Sequence, residues 1–327
     1  MADHVRIGVL GAARIVPAAL VRPARSTSAV VVSAVAARDA GRAREFADRH
    51  GIARVHDDYE ALLADPDLDA VYVPLPNGLH GRWTLAALAA GKHVLCEKPF
   101  AANAEEAARV AEAARNSGLV VMEAFHYRYH PLAARMAEVV GELGELRHVD
   151  ARLAFPLPRF SDIRYSLELA GGALMDAGCY PVNLVRLLGG GEPEVRSARA
   201  LLKGDGVDRA MRAELKFPGG HTGTVVASMW SRTVLKVTAK VLGANGEMRV
   251  VNPFAPQAGH RLAVRLKGQR RVERFDRRPS YEYQLEAFAD AVLHGKPFPT
   301  TADDAVATLR VIDDIYRAAG LPVRLPS

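Results

Sequence analysis

The regular alternation of apolar runs with helical segments over residues 5–124 constrains this chain more than any other feature. Val5–Leu10 is an apolar run ending at Gly11, and a helical pattern follows from about Ile15, with Pro17 suited to its first turn. Val30–Ala36 is a second run, bounded by Arg38 and Asp39, and residues 40–50 carry charges at helical spacing. Residues 70–74 form a third run, followed by a helix over 81–90 that stops at Gly91. His93–Cys96 is a fourth run, 104–117 a helix stopped by Gly118, and 119–124 a fifth run. Strands that are apolar almost throughout must be covered on both faces, which is the condition of a parallel sheet between helical layers. Right-handed crossovers then give a doubly wound, Rossmann-type α/β domain.

The remaining sequence has another rhythm. After a helix predicted over 132–140 come strand-like runs at 146–155, 195–202, 212–217, 222–228, 234–242, 248–251, 262–266 and 272–275. Turn signals at Gly204-Asp205-Gly206, Pro218-Gly219-Gly220 and Asn245-Gly246 separate several of them. Helices are predicted near 174–188, 280–294 and 303–318. Clustered strands with few crossovers predict an α+β domain built on a largely antiparallel open sheet. With 327 residues, two domains fit the usual ~100–200 residues each. The division is a dinucleotide-binding domain over 1–122 and a substrate-binding and oligomerisation domain over 123–327. Val234, Val237, Ala239 and Val241 read as apolar positions on both faces of one strand, which predicts a homodimer, or a dimer of dimers, through that sheet.

Charge and cysteine content narrow the function classes. Net charge is +6, from 43 basic and 37 acidic residues, and the excess is spread along the chain apart from Arg270, Arg271, Arg274, Arg277 and Arg278. With aromatics at only 6%, a basic face with stacking platforms for nucleic acid is not expected. Cys96 and Cys179 form no zinc or Cys-x-x-Cys spacing, which fits a reduced, cytoplasmic protein without a metal site. No apolar core follows a basic stretch at the amino terminus, and no run reaches the ~18 apolar residues of a membrane span, so neither a leader nor a membrane partner is expected.

The first turn, Gly11-Ala12-Ala13-Arg14-Ile15-Val16, keeps only the first glycine of the dinucleotide fingerprint G-x-G-x-x-G. Alone it is equally a tight turn that starts a helix. Its place between strand and helix puts it where backbone N–H groups meet a pyrophosphate. The second strand ends Ala36-Ala37-Arg38, where NAD-selective enzymes carry an acid for the ribose 2′-hydroxyl. Alanine cannot accept that bond, whereas Arg38, with Arg42 four residues on, suits a 2′-phosphate. NADP is therefore expected over NAD. Two more clusters follow strands at the ligand-binding edge: Pro74-Leu75-Pro76-Asn77-Gly78-Leu79-His80 and Cys96-Glu97-Lys98-Pro99.

These segments together resemble the glucose–fructose oxidoreductase/inositol dehydrogenase family. The resemblance rests on the glycine turn, Pro76 to His80, Glu97-Lys98-Pro99, and Gly171-Gly172-Ala173-Leu174-Met175-Asp176-Ala177-Gly178-Cys179-Tyr180, with Tyr281, Gln284 and Phe288 closing the pattern. Asp162-Ile163-Arg164-Tyr165 and a tyrosine at 180 resemble the branch of dimeric dihydrodiol dehydrogenases and NADP-dependent D-xylose dehydrogenases. The resemblance implies a nicotinamide enzyme that interconverts a secondary alcohol and a ketone on a sugar, polyol or cyclic diol. It implies Lys98, Asp176 and Tyr180 as catalytic and substrate-contacting residues. Gly11, Ala12, Ala13, Arg14 and Ile15 would hold the pyrophosphate and Arg38 the 2′-phosphate. Pro74, Leu75, Asn77, His80, Glu97 and Lys98 would line the rest of the cofactor path, with Arg164 and Tyr281 reaching it from the second domain.

The chemistry of these residue types agrees. Hydride transfer from a carbinol leaves a carbonyl only if a base takes the hydroxyl proton. A nearby lysine ammonium favours the phenolate of Tyr180 and holds an oxygen that gains negative charge. Asp176 stands one helical turn from Tyr180, although Pro181 cannot donate an interior helix bond there. Whether Tyr180 or Lys98 is the immediate proton acceptor stays open. Taken singly, Tyr180 reads as a core tyrosine and Asp176 as a helix-capping group. His126 and His130, at i and i+4, fit one side of a helix and are expected to line a substrate pocket, with Arg128 as a polar contact. Two other functions fit the same residues: a ketoreductase acting on a nucleotide-linked deoxysugar, and a non-catalytic NADP-binding regulator.

Overall fold

The computed structural model describes residues 4–204 and 206–327. Asp205, in the middle of one predicted turn, lies outside the described residues. The chain divides into two compact units, Met1–His126 with Pro279–Val306, and Tyr127–Arg278 with Ala307–Ser327.

The first unit is built on six parallel strands, β1 (Val5–Leu10), β2 (Val30–Ala36), β3 (Arg54–His56), β4 (Ala70–Val73), β5 (His93–Cys96) and β6 (Val121–Glu123), in the order β3-β2-β1-β4-β5-β6. That is the doubly wound order with its switch between β1 and β4, where ligands bind outside the carboxyl ends of the strands. Strands β1, β4 and β5 are almost wholly buried, as their unbroken apolar runs require. The edge strand β3 has no such run: Val55 is exposed and its neighbours are Arg54 and His56. Between the strands lie α1 (Arg22–Ala24), which continues a π turn over Pro17–Val21, α2 (Ala40–His50), α3 (Tyr59–Leu63), α4 (His80–Ala89) and α5 (Ala104–Ser117). Asp39, Asp58 and Asn103 cap α2, α3 and α5 by accepting from backbone N–H groups, which satisfies donors that a helix start otherwise leaves open.

The second unit holds α6 (Pro131–Glu142), β7 (Leu146–Ala154), α7 (Cys179–Gly189), β8 (Glu194–Lys203), β9 (Val207–Lys216), β10 (Thr222–Ser228), β11 (Lys236–Gly243), β12 (Gly246–Val251), β13 (Arg261–Leu266) and β14 (Gln269–Glu273). Its sheet runs β14-β13-β12-β11-β7-β10-β9-β8, antiparallel except where β10 lies parallel to β7. Helix α7 packs on β7 and β10, covering Val149, Ala151, Val225 and Ala227, all fully buried. The opposite face is a charged and polar ladder in which Arg152 pairs with Asp150, Arg212 with Glu214, and Lys240 and Arg249 with Glu247. The expectation drawn from Val234 is corrected here. Strand β11 starts at Lys236, so Val234 precedes it, while Val237, Ala239 and Val241 alternate onto one face.

Two helices follow, α8 (Ser280–His294) and α9 (Ala302–Ala318). Helix α8 packs on α1 and β1, and Met122 bridges Thr301 beside β6. Residues 279–306, expected from sequence to lie with the second domain, therefore cluster with the first. No described helix is long and apolar enough to cross a membrane.

Candidate active site

The turn after β1 opens the cofactor edge of the first unit. Gly11 adopts φ +108°, a region that disfavours side chains, and a Cβ there would stand 3.1 Å from Leu75 Cδ2. Its N–H donates to Ala36 O at 2.7 Å, so the turn is fixed to the end of β2. Ala12 and Ala13 are half-buried and Arg14 and Ile15 exposed, while Val16 is buried. The helical segment then starts with Pro17, which needs no hydrogen-bond acceptor. A narrow glycine turn at a helix start fits a pyrophosphate.

At the end of β2, Ala36 and Ala37 are buried and Arg38 is exposed. Asp39 is the nearest acid, but its Oδ1 accepts the Arg42 N–H at 2.7 Å as the cap of α2. Arg42 Nη2 donates to Ala12 O at 3.1 Å and so braces the glycine turn. Sequence reasoning missed Tyr59. Its hydroxyl lies 3.6 Å from where a Gly11 Cβ would be. Burial raises the Tyr59 pKa, opposed by the Arg38 charge. The only local signal for Tyr59 is its place after the capping Asp58.

The two loops beyond β4 and β5 are tied together. His80 is fully buried, with Nδ1 2.6 Å from Pro99 O and Nε2 2.7 Å from Leu75 O. Burial lowers its pKa to about 4, so the ring is neutral at neutral pH. His80 therefore joins the 74–80 loop to the Lys98–Pro99 peptide, which is cis, and is buried between the loops rather than exposed on them. Pro74 and Asn77 are buried and Leu75 half-buried in the same loop. Glu97 Oε1 accepts from Tyr72 Oη at 2.7 Å. Burial raises the Glu97 pKa against the opposing pull of Lys98 and Tyr72. Lys98 itself is half-buried. Tyr281, expected from the second domain, belongs to the first unit, where its ring lies 4.0 Å from that of His126. Burial raises the Tyr281 pKa, and the Glu97 charge adds to the effect.

The second unit carries the remaining candidates. Asp176 lies on a π turn, Leu174–Gly178, that leads directly into α7, where Tyr180 occupies the first turn. Pro181, in the first turn of α7, has no N–H to donate. Asp176 Oδ1 lies 3.6 Å from Arg164 Nε, and Arg164 Nη1 lies 3.0 Å from Asp162 Oδ1. The Tyr180 ring stands 6.0 Å from Tyr127 and 5.4 Å from Phe254. Arg128 Nη1 donates to Asn183 Oδ1 at 3.2 Å, and Tyr127 Oη donates to the same oxygen at 2.6 Å. Asn183, on α7, was not singled out from the sequence. His126 and His130 do not share a helix face. Residues His126–Tyr129 form a 3₁₀ turn, His126 Nδ1 lies 2.7 Å from Ser280 Oγ, and His130 caps α6. Cys96 and Cys179 are buried, and burial raises the Cys96 pKa well above the ordinary thiol range.

A doubly wound sheet with a glycine turn at its switch point defines a dinucleotide-binding fold, and a mixed open sheet follows it in the chain. The chain belongs to the GFO/IDH/MocA oxidoreductase family: residues 5–125 match the family's NAD-binding Rossmann fold and residues 133–249 its C-terminal domain. It is thus an NAD(P)-dependent enzyme of a dehydrogenase and reductase family acting on CH–OH groups. It is 40% identical over 314 residues to D-xylose 1-dehydrogenase (NADP(+)) 2 of Haloferax volcanii, covering 95% of this chain and 96% of that protein. It is 36% identical to a dTDP-3,4-didehydro-2,6-dideoxy-alpha-D-glucose 3-reductase of Streptomyces violaceoruber, covering 97% and 96%. A 3-ketoreductase from Actinomadura kijaniata, solved with NADP and TDP-benzene, superposes with a TM-score of 0.90 at 30% identity over 97% of this chain and 98% of that one.

Proposed function

We propose that this chain is an NADP-dependent oxidoreductase that moves hydride between nicotinamide and the carbinol or carbonyl carbon of a sugar, polyol or cyclic diol. One observation carries the cofactor choice. The end of β2 carries the buried Ala36 and Ala37 rather than an acid, and an exposed Arg38 follows them. The names of the relatives support it, since one is NADP-dependent and another was solved with NADP.

On this reading the first unit holds the cofactor, with Gly11 to Ile15 on the pyrophosphate and Arg38 on the 2′-phosphate. Leu75, Asn77, Glu97 and Tyr281 border the path toward the nicotinamide, and His80 fixes the loops that carry them. When bound, NADP supplies the ring that accepts or returns the hydride. Tyr180 Oη takes the substrate hydroxyl proton, and Lys98 Nζ stabilises the phenolate and the developing oxyanion. Asp176 and Arg128 orient the substrate, with Arg164 held beside Asp176. The second unit also carries the interface of a homodimer, or of a dimer of dimers, through the charged face of its sheet.

The 36% identity to a deoxysugar 3-reductase and the TDP-benzene complex of the ketoreductase favour a second substrate class, a nucleotide-linked ketosugar. A purely regulatory role is disfavoured because Lys98, Asp176 and Tyr180 are all present. Initial rates with NADP and NAD over aldoses, polyols and cyclic diols, and with NADPH over nucleotide-linked ketosugars, separate the three. Reduction of NADP by a free sugar or diol supports the first reading, oxidation of NADPH by a ketosugar nucleotide alone the second, and binding without turnover the third.

A further inference from the structure

Residue Arg324 lies in the segment after α9, far along the chain from every candidate site residue, and its side chain is 0% exposed, as is that of Asp208 on β9. Taking a guanidinium and a carboxylate out of water is costly, and apolar side chains of similar volume usually serve stability as well or better. What the pair supplies that apolar packing cannot is a set of directed hydrogen bonds.

The contacts show what it fixes. Arg324 Nη2 donates to Asp208 Oδ1 at 2.8 Å and to Gly206 O at 3.1 Å, and Nε donates to Gly171 O at 2.9 Å. The guanidinium also stands 4.2 Å from the centre of the Tyr316 ring, whose hydroxyl donates to Asp208 Oδ1 at 2.9 Å. Asp208 Oδ2 in turn accepts the Leu174 N–H at 2.7 Å, at the first residue of the π turn that carries Asp176. Gly172 lies between these anchors at φ +139°, and a Cβ there would fall 2.1 Å from Asp208 Oδ1. The carboxylate is therefore seated directly on the backbone of the Gly171-Gly172 turn.

The other side of that turn faces the candidate site residues. Gly171 N donates to Ser166 O and Gly172 N to Arg164 O, each at 2.8 Å, and Asp176 N donates to Gly172 O at 3.0 Å. Arg164 Nε faces Asp176 Oδ1 at 3.6 Å. The two glycines thus hold Arg164 and Asp176 on one side and are held by Arg324 and Asp208 on the other.

We propose that Arg324, acting through Asp208 and the Gly171 carbonyl, is a positioning residue that sets the backbone from which Asp176 and, at the start of α7, Tyr180 project. Neither Arg324 nor Asp208 reaches solvent, so neither touches substrate. The proposal rests on the reading of Asp176 and Tyr180 as site residues. A displacement of about 1 Å in a reacting group costs on the order of a hundredfold in rate, so loss of this anchor acts on turnover before it acts on binding.

The test uses Arg324→Ala and Arg324→Lys in the full chain, with Asp176→Asn in parallel. Folding is followed by circular dichroism and thermal midpoint, and kcat, KM and NADPH affinity are measured separately. A folded Arg324→Ala is expected to lose about 10–100-fold in kcat, with KM and NADPH affinity little changed. Added guanidinium, which fits the space vacated, is expected to restore part of kcat without moving the folded fraction. Arg324→Lys keeps the buried charge but cannot reach Asp208 and the Gly171 carbonyl together, and is expected to show the same loss of kcat while remaining folded. Normal kcat in either folded variant overturns the proposal. So does a loss of activity that only follows the loss of folded protein, with guanidinium restoring both in step. An impaired Asp176→Asn beside an unimpaired Arg324→Lys rejects the positioning role alone. Full activity of Asp176→Asn rejects the site reading on which that role rests.

Discussion

Replacement of Arg38 by alanine is expected to separate the two nicotinamide cofactors. Arg38 is exposed at the end of β2, and the adjacent Asp39 caps α2 through its Oδ1. A hydrogen bond to a charged group contributes roughly 1.5–3 kcal/mol. Because Arg38 is exposed, the lower part of that range applies, about 1.5–2 kcal/mol, or roughly 10–30-fold in affinity. NAD has no 2′-phosphate, so its affinity is expected to change less than about twofold on the same scale. The assay is a fluorescence titration of NADPH and NADH against the native chain and Arg38→Ala at low and high salt. The gap between the cofactors is expected to narrow as ionic strength rises. Arg42→Ala is the control, because Arg42 also donates to Ala12 O in the glycine turn and its loss is expected to weaken both cofactors. Equal losses of NADPH and NADH affinity in Arg38→Ala would refute the reasoning.

Tyr180→Phe removes the oxygen proposed to take the proton, and Lys98→Met removes the charge that tunes it; each is expected to lower turnover at least about a hundredfold with NADPH affinity within several-fold. Near-normal turnover in Tyr180→Phe alone would make Lys98 the base. For His80, burial holds the folded pKa at about 4 against 6.5. Its contribution to stability is therefore complete above pH 6.5 and lost as pH falls toward 4, an effect of up to about 3 kcal/mol. Urea unfolding from pH 7 to 4 is expected to show that decline and to show a shallower one in His80→Gln. The homodimer proposal predicts a mass of at least two chains by light scattering, weakened by charge reversal at Arg212 on the open sheet face; a monomer at all concentrations contradicts it.

The doubly wound sheet was legible because its central strands are buried on both faces and are written as unbroken apolar runs. Strand β3 was not, since an edge strand of three residues needs only backbone pairing with β2. The start of α7 was legible only as a difficulty at Pro181, and the π turn before it is not announced by the 3.6-residue pattern. Tyr281 was assigned to the wrong unit because chain order gave no sign that α8 returns to pack on β1. His126 and His130 looked like one helix face from spacing alone, but a 3₁₀ turn and the cap of α6 separate them. Tyr59, Asn183 and Arg324 act through contacts distant in sequence, with partners at Arg38, Arg128 and Gly171. No local pattern of residue types carries that information.

The proposed reaction moves hydride to NADP from the carbinol carbon of a sugar, polyol or cyclic diol. The most direct measurement supplies the best substrate of the initial-rate screen with deuterium on that carbon and follows the label. The deuterium is expected on the nicotinamide of NADPH, and NAD is expected to be used less efficiently. NADP that binds but is never reduced by any alcohol in the screen, or reduced cofactor that carries no label, contradicts it.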